Sequence, residues 1–137
     1  MSRDWVKDIH EMHDKYGVIE WMSAEKNKDL NNEFLKFRLQ FLYEELQETT
    51  EAWTHGNSEE IVDGLIDLCV VAIGTLDAFG VDAYTAWDKV LTANMNKQPG
   101  VKLERPNPLG LPDLIKPDNW EAPSHKDNHG QLSLCFD

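Results

Sequence analysis

Proline is distributed unevenly along this chain of 137 residues. It is absent from residue 3 to residue 97, and all six prolines fall between Pro99 and Pro123. Because proline lacks a backbone N–H and breaks a helix interior, the long proline-free stretch can hold long helices and the later stretch cannot. We therefore predict a helical body over residues 1–97 and an extended tail over residues 98–137, which packs on that body or on a neighbouring subunit.

The proline-free stretch contains four segments with helical spacing of apolar residues. They run from about Asp4 to Lys15, Leu30 to Thr54, Ser58 to Phe79 and Asp82 to Lys97. Gly17 should follow the first as a left-handed cap, and Asn57 or Ser58 should cap the third. The alternating pattern of a β-strand is absent, so we predict no strand. The predicted fold class is all-α.

The second and third predicted helices are joined by the short segment THGNS. They should therefore pack antiparallel as a helical hairpin. An apolar stripe on the second helix should form its core face; its members are Leu35, Leu39, Leu42, Leu46 and Trp53. The third helix is apolar around most of its circumference, so we expect burial on several sides. Such a chain leaves much apolar surface, which favours a dimer or larger symmetric assembly.

A neighbouring stripe of phenylalanines on the second helix ends in carboxylates. Glu45 and Glu48 lie three residues apart and therefore share a helix face. Glu60 and Asp63 repeat this spacing on the third helix, and Asp67 extends the row by one turn. Folding the hairpin should bring the two pairs opposite each other. The sequence thus predicts a four-carboxylate cluster.

Carboxylates packed this closely repel and raise one another's pKa, at a cost of roughly several kcal/mol. An oxygen-seeking dication such as Mg²⁺ or Mn²⁺ would offset the repulsion. Zn²⁺ fits less well, because no His or Cys lies on these faces. The predicted metal ligands are the four carboxylates of the cluster, with Asp67 as a further candidate. The alternative interpretation is a solvated acidic helix face.

Three short motifs lie along the helical body: EExxE at residues 44–48, ExxD at residues 60–63 and ANMNK at residues 93–97. Their combination resembles the MazG-like, all-α nucleoside triphosphate pyrophosphohydrolases, over residues 30–97. The tail sequence GLPDLIKPDNWEAPSH is similar to extensions on phage-type members. The resemblance implies a four-helix bundle-like fold, divalent metal ions held by the ExxE and ExxD carboxylates, and dimers or tetramers.

The resemblance also implies an activity, the hydrolysis of nucleoside triphosphates to the monophosphate and pyrophosphate. Two or more Mg²⁺ or Mn²⁺ ions would act together with Glu45 and Glu48. Glu44 is a candidate general base, or a residue that supports the ligands. We expect a purine deoxynucleotide such as dGTP as substrate, in control of the nucleotide pool. The alternative is a non-enzymatic acidic helical module that binds divalent cations.

Five further residues are candidate substrate contacts, namely Arg38, Asn94, Lys97, Lys116 and Trp21. Arg38 precedes the carboxylates by two turns on their own face, where it could contact phosphate or neutralise the acidic cluster. Asn94 and Lys97 lie in the segment resembling the family's phosphate-contacting motif; the alternative is a polar helix end. Lys116 could reach phosphate from the tail or be only solvated. Trp21 could stack on the base or belong to the core.

The chain carries a formal net charge of −12. This charge argues against broad contact with a nucleic-acid backbone, which needs a basic face. No apolar run reaches the ~18 residues of a membrane span, and the charged amino-terminal segment predicts no signal peptide. We therefore expect a cytoplasmic protein, in the host cytoplasm if it is phage-encoded, whose partners are its substrate and copies of itself.

Overall fold

The computed structural model describes residues 3–109 and 113–136, and within them the chain is mostly helical. The elements are α1 (Trp5–Lys15), α2 (Val18–Ser23), α3 (Asn31–Thr54), α4 (Ser58–Ala78), α5 (Ala83–Met95), β1 (Gln98–Gly100), β2 (Asp113–Ile115), and 3₁₀ segments at Glu25–Leu30 and Gly130–Phe136. The predicted all-α class is confirmed. In the described part of the chain, no single helix is long and apolar enough to cross a membrane, and only α4 and α5 taken together pass that test of length and composition.

Helices α1, α3, α4 and α5 correspond to the four predicted helices, and two other regions differ from prediction. Between α1 and α3, where no helix is predicted, the chain forms the additional helix α2 and the 3₁₀ segment Glu25–Leu30. In the tail, β1 and β2 pair antiparallel, so the prediction of no strand is wrong there. The ladder contains Pro99 and Gly100, which are poor strand formers. Only the pairing between the two strands identifies this ladder.

Both predicted caps are present. Gly17 has φ +84° and lets the chain leave α1 and enter α2, a conformation that glycine adopts without a Cβ clash. The side chain of Asn57 accepts a hydrogen bond of 3.1 Å from the backbone N–H of Glu60. It satisfies one of the donors that the start of α4 leaves unpaired. The turn between α3 and α4 is therefore held by local chemistry.

The chain folds as two compact units. The first comprises residues 1–83 and 127–137, and the second comprises residues 84–126. This division differs from the sequence-based boundary at Lys97. The last residues belong to the first unit because the backbone N–H of Gln131 donates to the carbonyl of Phe79 at 2.7 Å.

The core of the first unit is built around Phe79, which is fully buried. Phe34 of α3 meets Phe79 edge to face with ring centroids 5.6 Å apart, and Trp21 stacks on Phe34 at 5.5 Å. Such pairs contribute about 0.5–1.5 kcal/mol each beyond their buried area. Cys135 of the last 3₁₀ segment and Met22 of α2 complete the cluster. The core therefore joins the end of α4 to the start of α3.

The predicted core stripe on α3 is wrong at three of its five positions. Leu39, Leu46 and Trp53 are 54%, 52% and 72% exposed, and α3 turns Thr49 and Ala52 inward instead. The prediction that α4 is buried on several sides is also wrong for this chain alone; its exposed apolar side chains are Val62, Leu65 and Ile66. Periodicity identifies an apolar face, but it does not say whether the same chain or another one covers it.

Candidate metal and substrate site

Three contacts define how α3 lies against α4. Arg38 donates through Nε to Thr75 Oγ1 and through Nη2 to the carbonyl of Val71, each at 3.0 Å. Thr49 packs directly on Gly64, where an added Cβ would overlap its hydroxyl. Eleven residues separate Arg38 from Thr49, and eleven separate Gly64 from Thr75. The helices therefore run antiparallel, as predicted, and match residue for residue.

The carboxylates lie around Glu45. The antiparallel register of α3 and α4 places Glu45 opposite the residue next to Asp67. Burial raises the pKa of the Glu45 carboxyl, and the charges of Glu48, Asp67, Asp63 and Glu44 raise it further. Glu45 and Asp67 are half-buried, whereas the other three are exposed. Five of the six predicted carboxylates thus share one electrostatic environment on the hairpin.

Glu60 lies apart from this group. It is exposed in the first turn of α4, and it is not among the charges that raise the pKa of Glu45. In the hairpin register it stands opposite Trp53, five residues beyond Glu48. Asp67 therefore lies closer to Glu45 than Glu60 does. Metal ligation by Glu60 stays a prediction.

The carboxylates do not converge in the geometry of a metal-binding site. Among the described residues, no three His, Cys, Asp or Glu side chains converge in an arrangement that could hold a metal ion. The donor set nevertheless fits Mg²⁺ or Mn²⁺, because it consists of carboxylate oxygens alone. Burial and the neighbouring carboxylates raise the pKa of Glu45, and within residues 3–109 and 113–136 no lysine or arginine forms an ion pair with it; a dication would offset the repulsion.

Arg38 braces the hairpin. Its guanidinium carbon lies 6.0 and 5.9 Å from the ring centroids of Phe34 and Phe41. Nη2 lies against Gly74, where a Cβ would approach to 2.7 Å. Within the described residues no carboxylate forms an ion pair with Arg38, and burial lowers the pKa of its guanidinium. Its donors are directed to α4, and phosphate contact stays a prediction.

A cluster of two histidines and an aspartate lies beside Arg38. His10 and His13 of α1 hold the two carboxylate oxygens of Asp77 on α4 at 2.8 and 2.9 Å through Nδ1. Burial lowers the pKa of His13, and the hydrogen bond to Asp77 opposes that shift. The three-residue spacing of the histidines was a visible signal. Their partner, 64 residues from His13, becomes apparent only in the folded chain.

The aromatic candidate, Trp21, has a partner within the protein. It stacks on Phe34 with an angle of 28° between the rings. It is also 36% exposed, so part of the side chain faces solvent. The structure thus shows an aromatic contact of Trp21 within the chain. Stacking on a nucleotide base stays a prediction.

The remaining three substrate candidates belong to the second unit. Asn94 is exposed in the last turn of α5. Lys97 and Lys116 both approach the ring of Trp120, with Nζ 5.4 and 4.9 Å from its centroid. Lys97, at the end of the predicted helical body, and Lys116, in the predicted tail, therefore contact the same tryptophan.

A family model described as phosphoribosyl-ATP pyrophosphohydrolase matches residues 16–94, more than half of the chain. The matched range includes α2, α3 and α4 and therefore all six predicted carboxylates. This type of domain falls within the MazG-like all-α nucleoside triphosphate pyrophosphohydrolases, so the family resemblance is confirmed at that level. No curated protein sequence matched the chain.

Proposed function

Because this chain belongs to the phosphoribosyl-ATP pyrophosphohydrolase family, it carries a pyrophosphohydrolase domain, and we propose that it hydrolyses nucleoside triphosphates to the monophosphate and pyrophosphate. The observation that supports this substrate class is the carboxylate group around Glu45, which lies inside the matched range. A phosphate chain is strongly anionic, so a protein of net charge −12 needs cations to hold it there. We propose the cytoplasm as its place of action, the host's if the chain is of the phage type.

In this proposal the carboxylates of α3 and α4 bind Mg²⁺ or Mn²⁺, two or more ions per site. The ligands are Glu45, Glu48, Asp63 and Asp67, with Glu60 as a further one. The bound ions supply charge neutralisation at phosphate and a more acidic water. Glu44, on the neighbouring flank of α3, accepts a proton from the attacking water or orients the ligands. Glu45 and Asp67 form the half-buried floor of the site, and Glu48 and Asp63 its solvent-facing rim.

Two substrates are candidates for the finer specificity. The family description names phosphoribosyl-ATP, and the tail's likeness to phage-type members favours a purine deoxynucleotide such as dGTP. Both offer a triphosphate to the same carboxylates. They differ in what must fit beyond the phosphate chain, which a direct comparison of turnover rates resolves.

Hydrolysis should depend on added metal. Purified protein with Mg²⁺ or Mn²⁺ should release pyrophosphate from at least one member of a panel containing the four dNTPs, dUTP, oxidised purine nucleotides and phosphoribosyl-ATP. EDTA should remove the activity and excess metal should restore it, because among the residues that the structure describes no lysine or arginine forms an ion pair with the carboxylates around Glu45. If no substrate in the panel is hydrolysed and Glu48→Ala alters only stability, the acidic interaction module is favoured instead.

We further propose that the chain functions as a homodimer or homotetramer. Exposed apolar side chains along α3 support this, and a groove on that helix is lined by Leu39, Tyr43 and Phe136 among others. Leu46→Glu should shift the protein toward monomer in sedimentation equilibrium, because a charge would be buried at the interface. Leu103→Glu, at a side chain 90% exposed in the second unit, is the matched control. An assembly unchanged by Leu46→Glu would place the interface elsewhere.

A further inference from the structure

Asp77 of α4 accepts hydrogen bonds from two histidines of α1. His10 Nδ1 lies 2.8 Å from Oδ1 of this carboxylate, and His13 Nδ1 lies 2.9 Å from Oδ2. An ionised carboxylate only accepts, so each imidazole must carry a hydrogen on Nδ1. The neutral Nδ1–H tautomer and the imidazolium both meet that requirement. The geometry therefore fixes the hydrogen bonds, and the pH sets the charge of the two rings.

The buried histidine of this pair is His13. Its side chain is 6% exposed and that of Asp77 is 11% exposed, whereas that of His10 is 55% exposed. A Cβ added at Gly74 of α4 would come to 2.7 Å from Nη2 of Arg38 and to 3.0 Å from Nε2 of His13. The guanidinium and the second nitrogen of His13 therefore lie against the same part of α4. Protonation of His13 adds a positive charge beside an existing one.

Charges act on His13 from three helices. Asp77 lies on α4, Arg38 on α3, and His10 on α1 itself. The titratable side chain of α2, which packs on both α1 and α4, is Glu20, and it is exposed. With neutral histidines the cluster has one negative and one positive group, whereas two imidazolium ions give it three positive groups and a single carboxylate. Positive charge that is buried without a partner opposes the packing of α1.

The sign of the pH dependence follows from His13. Burial lowers its pKa below 6.5, and the hydrogen bond to Asp77 does not fully offset that shift. The unfolded chain therefore binds this proton more tightly than the folded chain does. The stability that the neutral ring contributes is complete above about pH 6.5 and is lost as the pH falls through the lowered folded pKa.

We propose that His10, His13 and Asp77 form a pH-sensitive switch, which keeps α1 on the α3–α4 hairpin near neutral pH and loosens it on mild acidification. Of the residues of α1, all of which the structure describes, Ile9 and His13 are the buried ones. The apolar packing of this helix is thus small, and the contacts to Asp77 are a large part of its attachment. The switch does not rest on the proposed hydrolysis.

Hydrogen exchange of the backbone amides, measured by mass spectrometry on the full chain at about pH 7.5 and about pH 5.5, compares the two sides of the ordinary histidine pKa. After correction for the chemical exchange rate at each pH, the protection of residues 5–15 should fall roughly tenfold at the lower pH. Residues 39–50 of α3 should keep their protection. The raised pKa of Glu45 acts in the opposite direction, so it does not produce this loss.

His10→Asn and His13→Asn remove the titrating groups and keep the donors, because the asparagine Nδ2 takes the place of the imidazole Nδ1. Between the two pH values, α1 of the double variant should lose less than about twofold in protection. His10→Asn alone should lose less than the parent protein. His55→Asn, at the exposed histidine that follows α3, is the matched control and should respond as the parent does.

Asp77→Asn tests the carboxylate. The amide oxygen can accept from one ring, but the amide NH₂ opposes the N–H of the other ring, so the protection of α1 should already be lower near neutral pH. Circular dichroism near neutral pH establishes that each variant is folded. If His13→Asn does not fold, His10→Asn and Asp77→Asn still decide the result.

Equal protection of α1 at the two pH values in the parent protein would overturn the proposal. A full pH response in the double variant would do the same, because it would assign the effect to groups other than the two histidines. A loss shared equally by α1 and α3 would show cooperative unfolding in place of a local switch. If no nucleotide is hydrolysed but the response of α1 depends on the histidines, the switch stands and the hydrolytic function does not.

Discussion

Glu45→Gln should lower the rate of nucleotide hydrolysis by about 100-fold or more, equivalent to ~3 kcal/mol of transition-state stabilisation. Glu45 is the carboxylate on which the charges of the other four act, so its loss removes the central donor of the proposed metal site. Glutamine keeps the shape and one oxygen but carries no charge. Pyrophosphate release at saturating metal and substrate measures the effect.

The same substitution should stabilise the metal-free protein at neutral pH. The pKa of Glu45 is raised in the fold above 4.5, so the folded state binds this proton more tightly than the unfolded state does. The stability of the parent protein therefore falls as pH rises from about 4.5 through the raised folded pKa, and above it the penalty is complete. Glutamine does not ionise. In EDTA, the unfolding midpoint of the Glu45→Gln protein should exceed that of the parent protein at pH 7, and the difference should shrink as the pH is lowered.

Glu51→Gln is the matched control, since Glu51 is exposed on the same helix. It should keep both the activity and the unfolding midpoint of the parent protein. A Glu45→Gln protein that retained full activity would show that Glu45 is dispensable for the reaction. One that lost stability in EDTA would show that Glu45 makes a favourable contact in the fold, contrary to the repulsion inferred for it.

Gly64→Ala should destabilise the hairpin by about 1–3 kcal/mol, the usual cost of overpacking. In an exposed helix the same change is favourable by ~1 kcal/mol, so the expected sign is the reverse of the intrinsic preference. An added Cβ would overlap the Thr49 hydroxyl and lie 3.1 Å from its Cβ. That hydroxyl donates to the carbonyl of Glu45 at 2.8 Å, and the β-branched side chain has few rotamers to escape into.

A double-mutant cycle isolates this contact. Thr49→Ala removes the overlapping hydroxyl, so Thr49→Ala/Gly64→Ala should recover most of the stability that Gly64→Ala loses. Thr49→Ala alone should cost less than about 1 kcal/mol, the net value of one ordinary hydrogen bond. Urea denaturation measures all four proteins. Strict additivity of the two single changes would mean that α3 and α4 do not meet at this point.

The secondary structure that could be predicted was the part encoded by neighbouring residues. The apolar repeat of α3 and α4, the Asn57 cap and the left-handed Gly17 all act within a few residues, so their signals are visible in a single segment. The β1–β2 ladder was missed because its pairing joins Gln98 to Ile115, and neither strand alone shows an alternating pattern. The stripe through Leu39 was identified correctly as apolar and wrongly as core.

The candidate site divides in the same way. The sequence by itself determined which carboxylates share a helix face, because the geometry of an α-helix sets the direction of each side chain from its position alone. Only the tertiary structure decided how far one helix is offset along the other. Close packing of Thr49 on Gly64 sets that offset, and with it the neighbourhood of Glu45 and Asp67 and the isolation of Glu60. Such packing depends on side chains far apart in the chain, and spacing within one helix carries no record of it.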